Sequence, residues 1–384
     1  MMGQAILIVD DDSAVTEGLA LTLQDDHRQI VTCNDIESAR LVLNLFPMSH
    51  VITDVQFSGL FGFEGLNFVE QIHNAAPSAS VILMSGNASP ELRREALSRG
   101  VVAFLDKPFE IDEIERVIND PERGTVNLDD NGPSIIRVPL LDEIIASPHL
   151  TSVFHPIVTL ASHGRDVYGF EALARYRGGS IFTNPELLFR YAESKNELVD
   201  LDLKCTENAL AAVTPLLPHG NVFMNVHPLV FSRGNALPEK VLSAARQSGV
   251  PLDQIVLEIT EQASIVDAKT SLRNIEMLRE HGVRFAIDDV GMAYSHLTLL
   301  DQIRPSFLKI SQHFGTGFET DATKVKIVGN IVSLARDFGI EVILEGIEAA
   351  STAEYARSLN IRYGQGYFYA RPAPANVIQT SLVN

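Results

Sequence analysis

Apolar and polar positions along the chain fall into a repeating order. Short apolar runs rich in Val, Ile and Leu recur from one end to the other, and most are separated by stretches with apolar residues at helical spacing. Such runs read as strands buried on both faces, and their alternation with helices predicts parallel sheets. In the first third the runs are AILIV ending at Val9, QIVTC ending at Cys33, HVIT ending at Thr53, SVILM ending at Met84 and VVAFL ending at Leu105. Helical stretches lie near 13 to 25, 36 to 46, 65 to 75, 90 to 98 and 110 to 118. Five such units predict a doubly wound, five-stranded parallel sheet, with a ligand site at the carboxyl ends of its strands. Asp10, Asp11, Asp54, Ser85 and Lys107 fall at those ends.

From Asn119 to about Ser134 the text NDPERGTVNLDDNGPS is polar, acidic and rich in Pro and Gly, which reads as a linker. PLLDEIIAS then reads as a short amphipathic helix. Beyond it the apolar runs stop at residues able to hold a metal or a phosphate: VFM before Asn225, IVL before Glu258, FAI before Asp288 and Asp289, FL before Lys309, VIL before Glu345. Glu171, central in VYGFEALARYR, belongs with them. Strand–helix alternation at this length predicts a closed (β/α)8 barrel of the TIM type, with its chemistry where the strands end. The expected division is 1–120, a linker over 121–135, and 136–384.

Composition narrows the function. At 384 residues a prior of about 150 residues per domain gives two or three domains. The formal charge is -19, from 49 acidic against 30 basic residues, which argues against non-specific binding to nucleic acid or anionic membrane. A DNA-binding regulator is further disfavoured because no basic recognition helix follows the first sheet. Cys33 and Cys205 form no CxxC pair, which fits a reducing compartment. The start, MMGQAILIVDDD, lacks the layout of a secretory signal, and no run approaches the roughly 18 apolar residues of a span. A soluble, cytoplasmic protein without membrane insertion is expected.

Carboxylates gathered at strand ends would repel one another, and burying even one unpaired carboxylate is costly. A divalent cation, or a pair, relieves this, and oxygen ligands without a Cys or His cluster suit Mg2+ or Mn2+ better than Zn2+. Singly, each residue has a plainer account: Asp10 to Asp12 as a helix cap, Lys107 pairing with Asp106, Glu171 as an exposed acid, Asn225 as a turn residue, Lys309 as a snorkelling strand end, Gln365 in a Gly-rich turn. Their joint order at strand ends favours sites. His155, His227 and His296 are too scattered for a ligand set and are expected to be packed or solvent-facing.

The first segment resembles a two-component receiver domain. That resemblance implies Asp10 and Asp11 as metal acids with Asp54 as phospho-acceptor and one Mg2+ or Mn2+. It also implies Ser85 as the hydroxyl that senses the phosphoryl group, Lys107 as the site cation, Phe104 as the aromatic switch, and a sensor histidine kinase as partner. Asp12 is expected to be a neighbour, not a ligand. After Asp54 the text QFSGLFGFEG departs from the family's Met-Pro.

The segment from about 136 to 384 resembles the EAL family of cyclic di-GMP phosphodiesterases. The carriers are FHPIV, FEALARY, MNVHP, LEITE, DDVGMAYSHL, FLKIS, LEGIE and YGQGYFYARP, in the family's order. The resemblance implies one metal on Glu171, Asn225, Glu258 and Asp288, and a second on Asp288 and Asp289, with Glu345 and Gln365 supporting through water. Two cations about 4 Å apart can stabilise both the attacking and the leaving oxygen at phosphorus. Lys309 would orient water or offset charge, Arg175 would clamp phosphate, and Glu261 would steady the loop after Asp289. The expected product is linear pGpG, with phosphorylation of Asp54 tuning the rate and a homodimer or higher homo-oligomer as the working form. His155, Tyr176, Val290, Met292, Ala293, His296 and Ser311 depart from family usage. They leave open weak turnover, or an inactive barrel acting as a cyclic di-GMP receptor or protein-interaction module.

Overall fold

The computed structural model describes the chain except residues 1, 58–63, 87–88, 121–124, 128–133, 163–165, 261–266, 292–295 and 384. It divides into two compact units, Met1–Ser147 with Arg177–Lys195, and Pro148–Tyr176 with Asn196–Asn384.

The first unit runs β1 (Met2–Val9), α1 (Ser13–Leu23), β2 (Arg28–Cys33), α2 (Ile36–Leu45), β3 (His50–Asp54), α3 (Glu64–Ala75), β4 (Ser80–Ser85), α4 (Pro90–Ser98), β5 (Ala103–Asp106) and α5 (Ile111–Ile118). These five strands pair in parallel in the order β5-β4-β3-β1-β2. The order reverses between β1 and β3, so Asp10 and Asp54 end adjacent strands at the switch point, where α/β sheets bind ligands. Ile6, Ile8, Ile52 and Ile82, all without solvent exposure, build the core that fixes those ends.

The sheet is larger than the five strands expected. Within the stretch read as linker, β6 (Val126–Asn127) pairs antiparallel with β1 at Met2 and Gly3. At its end β7 (Ile135–Arg137) lies parallel to β2. An open edge presents unpaired backbone N–H and C=O groups, and the apolar Ile135-Ile136 step supplies a partner that the polar text before it conceals. A short helix, α6 (Leu141–Ala146), follows.

One further piece belongs to this unit. Residues 177–195 contain α7 (Pro185–Ser194), N-capped by Asn184 with Pro185 in its first turn. Tyr191 of α7 is fully buried, stacks on Phe182 at 5.0 Å between ring centroids and donates its hydroxyl to Asp35 Oδ2 at 2.6 Å. Asp35 in turn N-caps α2, accepting from Ser38 N. The sequence order alone placed none of this.

The second unit is a closed eight-stranded barrel. Its strands are β8 (Leu150–Thr159), β9 (Val167–Tyr176), β10 (Asn221–Asn225), β11 (Ile255–Thr260), β12 (Arg284–Val290), β13 (Phe307–Ile310), β14 (Glu341–Leu344) and β15 (Tyr363–Gly364), joined in the order β10-β11-β12-β13-β14-β15-β8-β9. The barrel matches the expected architecture with one difference: β8 runs antiparallel to both β9 and β15. A parallel crossover needs about a dozen residues or more, usually a helix. The stretch from Leu160 to Asp166 carries no α-helix among its described residues, so β8 and β9 pair as a hairpin. Among the described residues no helix is long and apolar enough to cross a membrane.

Candidate functional site

Inside the barrel, Ile157, Phe223, Val256, Ala286, Phe307, Ile343 and Tyr363 form one apolar layer. Side chains two apart on a strand share a face. One pleat further along the same strands stand His155, Asn225, Glu258, Asp288, Lys309, Glu345 and Gln365, joined by Glu171, which stands two residues beyond Gly169 on β9. The strands therefore lay down an apolar floor and a polar layer directly above it. Period two, and not proximity in sequence, brings these residues together.

Lys309 is the centre. It is fully buried, and its Nζ lies 2.8 Å from Glu345, 3.0 Å from Glu258, 3.2 Å from Asp288 and 3.3 Å from Glu171. Glu171 is held from two sides, accepting from Asn225 Nδ2 at 3.1 Å on Oε1 and from Gln365 Nε2 at 2.8 Å on Oε2. Oxygens of Glu171, Glu258 and Asp288 all lie within 4.8 Å of one another.

One ammonium among four carboxylates leaves a formal charge of -3 when all are ionised (+1 - 4). The proton affinities register that strain. Burial drives the Glu258 carboxyl well above its usual range, Lys309 only partly opposing it. Burial likewise raises Asp288, and pushes Glu345 up to about 8. Glu171 goes the other way: burial would raise it, but Lys309 and the two amides hold it below the usual value. Lys309 itself, penalised by burial, is kept well above its usual value by the surrounding acids.

A cation would fit this cluster. Glu258 Oε1 and Asp288 Oδ1 are buried and, although near Nζ, accept no well-directed hydrogen bond from the described residues. Orphaned anionic oxygens at this depth are costly unless a positive partner arrives, and an all-oxygen set suits Mg2+ or Mn2+.

Asp289 reaches the same cavity by breaking the alternation. Consecutive strand residues point to opposite faces, yet Asp288 and Asp289 both line it. The β12–β13 register shifts between Ile287 and Val290, and Asp289 sits at φ 56°. A bulge with a left-handed residue re-aims the side chain, and Asp tolerates that backbone region better than most. The turn after Glu345 needs Gly346: φ is 68°, and a Cβ there would come within 2.8 Å of Thr316 Oγ1 and 3.0 Å of Gln312 Cα.

Above the cluster lies a cavity of about 300 Å³. Arg175 lines it, its Nη1 donating to the Ala174 carbonyl at 2.7 Å. The lining also includes residues to which the sequence assigned no role: Leu173, Gln312, Glu348, Tyr367 and Pro372. Glu348 and Tyr367 lie inside the phrases LEGIE and YGQGYFYARP, the only signal for them. His155 lines the cavity too, Nε2 donating to the Ala370 carbonyl at 3.0 Å. His227 instead caps the turn at Pro228–Phe231. Glu261 and most of the loop 290–296 lie outside the described residues, as does the His296 side chain.

The first unit has its own acidic site. Lys107 Nζ donates to Asp10 Oδ2 and Asp54 Oδ2, each at 2.6 Å. Oxygens of Asp10, Asp11 and Asp54 lie within 4.8 Å of one another. Burial raises the Asp10 carboxyl despite Lys107. For Lys107 burial is outweighed by its two carboxylates, which hold the ammonium above its usual value. The plainer pairing of Lys107 with Asp106 does not occur, because Asp106 binds Arg93. Asp12 N-caps α1. Ser85 and Phe104 are both buried, and the Arg93 guanidinium lies 5.0 Å over the Phe104 ring.

The sequence families agree with this geometry. The EAL domain family matches residues 140–372 and the response regulator receiver domain residues 6–119. The chain belongs to the EAL domain family, its EAL domain preceded by a receiver domain. It is similar to the cyclic di-GMP phosphodiesterase RocR of Pseudomonas aeruginosa, 28% identical over 336 residues that span 84% of each chain. It is also 31% identical over 220 residues to the probable cyclic di-GMP phosphodiesterase PdeD of Escherichia coli, covering 56% of this chain and 40% of PdeD. Among solved structures, the PaMucR phosphodiesterase in complex with c-di-GMP is 29% identical with a TM-score of 0.53, covering 60% of this chain and 99% of that one.

Proposed function

We propose that the chain is a response regulator, divided at 1–120, 121–135 and 136–384, whose barrel hydrolyses one phosphodiester bond of cyclic di-GMP to give linear pGpG. One observation carries the reading: four carboxylates, three of them buried, converge on a single buried ammonium beneath a cavity lined by an arginine. The phosphodiesterase relatives supply the substrate class.

Glu171, Asn225, Glu258 and Asp288 would hold one Mg2+ or Mn2+, and Asp288 with Asp289 a second. Bound there, the pair supplies Lewis acidity toward the phosphodiester and makes water ionise near neutral pH. The protein's own groups do the rest. Arg175 presents a planar guanidinium to the phosphate oxygens. Asn225 and Gln365 aim Glu171, and Gln365 and Glu345 hold water at the edge of the cluster. Lys309 keeps the acids at contact distance and offsets the charge that builds at phosphorus in the transition state. Glu261 steadies the loop beyond Asp289.

In the receiver, Asp54 accepts the phosphoryl group from a sensor histidine kinase, with one divalent cation on Asp10, Asp11 and Asp54. Lys107 then transfers its contact from the Asp54 carboxylate to the phosphoryl oxygens, Ser85 is drawn toward them, and Phe104 follows the space that Ser85 vacates. The working form is a cytoplasmic homodimer or higher homo-oligomer.

The test is turnover of cyclic di-GMP by the purified full chain in Mg2+ or Mn2+, with and without acetyl phosphate. The expected result is metal-dependent release of pGpG, a changed rate after phosphorylation, and loss of product in Glu171→Ala. Tight binding of cyclic di-GMP with no product under either metal would replace hydrolysis by a receptor role.

A further inference from the structure

Beneath the β10 end of the barrel lies a buried acid that takes no part in the cluster around Lys309. Asp202, on α8 (Leu198–Ala212), is 2% exposed, and its Oδ2 accepts the backbone N–H of His227 at 2.8 Å. His227 stands two residues beyond Asn225. The peptide between them is tied in the opposite direction, Val226 N–H donating to the Glu258 carbonyl at 2.9 Å. Pro228 comes next and has no N–H to offer. The chain leaving Asn225 is thus fastened at two successive peptides, one to a neighbouring strand and one to Asp202, and Asn225 itself reaches Glu171 at 3.1 Å.

We infer that Asp202 is a positioning residue for the metal site, holding the Asn225–His227 turn so that the Asn225 side chain stays on Glu171. This deepens the reading of Glu171, Asn225, Glu258 and Asp288 as a metal site and rests on it. The alternative, that Asp202 merely stabilises the fold, is a poor account of a carboxylate in that place. A buried acid is a costly way to satisfy one backbone N–H, and an apolar residue of similar volume is often as stable or more so. Groups that orient a ligand without touching the metal are worth about 10- to 100-fold in metal affinity.

Two substitutions separate the accounts. Asp202→Asn keeps an oxygen facing the His227 N–H without charge, whereas Asp202→Leu keeps the volume and removes the acceptor. Each full-length protein is titrated with Mn2+ by calorimetry, melted without metal, and assayed for kcat and KM with cyclic di-GMP. The expected result is about a tenfold or larger loss of Mn2+ affinity in the leucine variant at an unchanged or raised melting temperature, with kcat falling more than KM rises. The asparagine variant should bind within about threefold of the parent. Parental Mn2+ affinity in a folded Asp202→Leu overturns the inference alone, and so does a tenfold loss in a folded Asp202→Asn. If the leucine variant does not fold, stability is the role of Asp202 and the inference falls. Absence of Mn2+ binding in the parent overturns the site itself.

Discussion

At the residue scale, Lys309 offsets the repulsion among the acids gathered in the barrel. It is the ammonium shared by four acids, three of them buried, so removing it leaves their repulsion to protonation or to added cations. Breaking a buried ionic group by deleting one partner costs about 3–5 kcal/mol. Lys309→Met should lower the unfolding free energy of the metal-free protein, read from urea titration, by that amount, and millimolar Mn2+ should recover part of the loss while turnover stays abolished. Asp202 carries a pH signature. Burial pushes its carboxyl up to about 7 from 3.8, the His227 N–H only partly countering it. The protonated form is thus favoured by the fold, so its stabilising contribution is complete below about pH 4 and is lost as pH rises toward 7. Asp202→Asn does not titrate. Its stability advantage over the parent should therefore grow between pH 5 and pH 8 and level off above, by about 3 kcal/mol at 1.36 kcal/mol per unit. Parallel thermal melts across that range check it.

Elements explain why much of the site was legible. The apolar runs VFM, IVL, FL and VIL each stop directly before a polar residue, so Asn225, Glu258, Lys309 and Glu345 were visible as strand ends without knowing which strands pair. Asp289 was visible only as a second acid, because the bulge that brings it inward is a register event between two strands, not a property of either. The reversed β8 was concealed for a related reason: its apolar pattern is the same in either direction, and only the length of the following connection reveals the hairpin. Likewise, Ile135-Ile136 looked like the end of a linker until the open edge of β2 gave it a partner. The turn after β14 offers a direct test. Gly346→Ala places a Cβ against Gln312 and Thr316 at a positive φ. A cost of about 1–2 kcal/mol is expected in urea unfolding, with a fall in kcat because Glu345 moves with its neighbour.

On the scale of the whole molecule, the first unit does not end where the receiver ends. Residues 177–195 follow directly on β9, the strand bearing Glu171 and Arg175, and yet they pack in the receiver's unit. Composition had no means of showing this, since Phe182, Leu188 and Tyr191 read as the core of any nearby helix. The bond from Tyr191 to the Asp35 carboxylate should contribute about 1.5–3 kcal/mol, as hydrogen bonds to charged groups do. Tyr191→Phe should accordingly speed amide exchange across Arg28–Phe46 and leave exchange in β13 and β14 unchanged. Unaltered exchange in both regions would show the bond to be idle. A shortened chain begun at residue 136 in order to isolate the barrel would take this helix away from the surface that shelters it. Phe182, Leu188 and Tyr191, all buried in the intact protein, would lose that cover, and the truncated form should self-associate through this newly bared apolar surface.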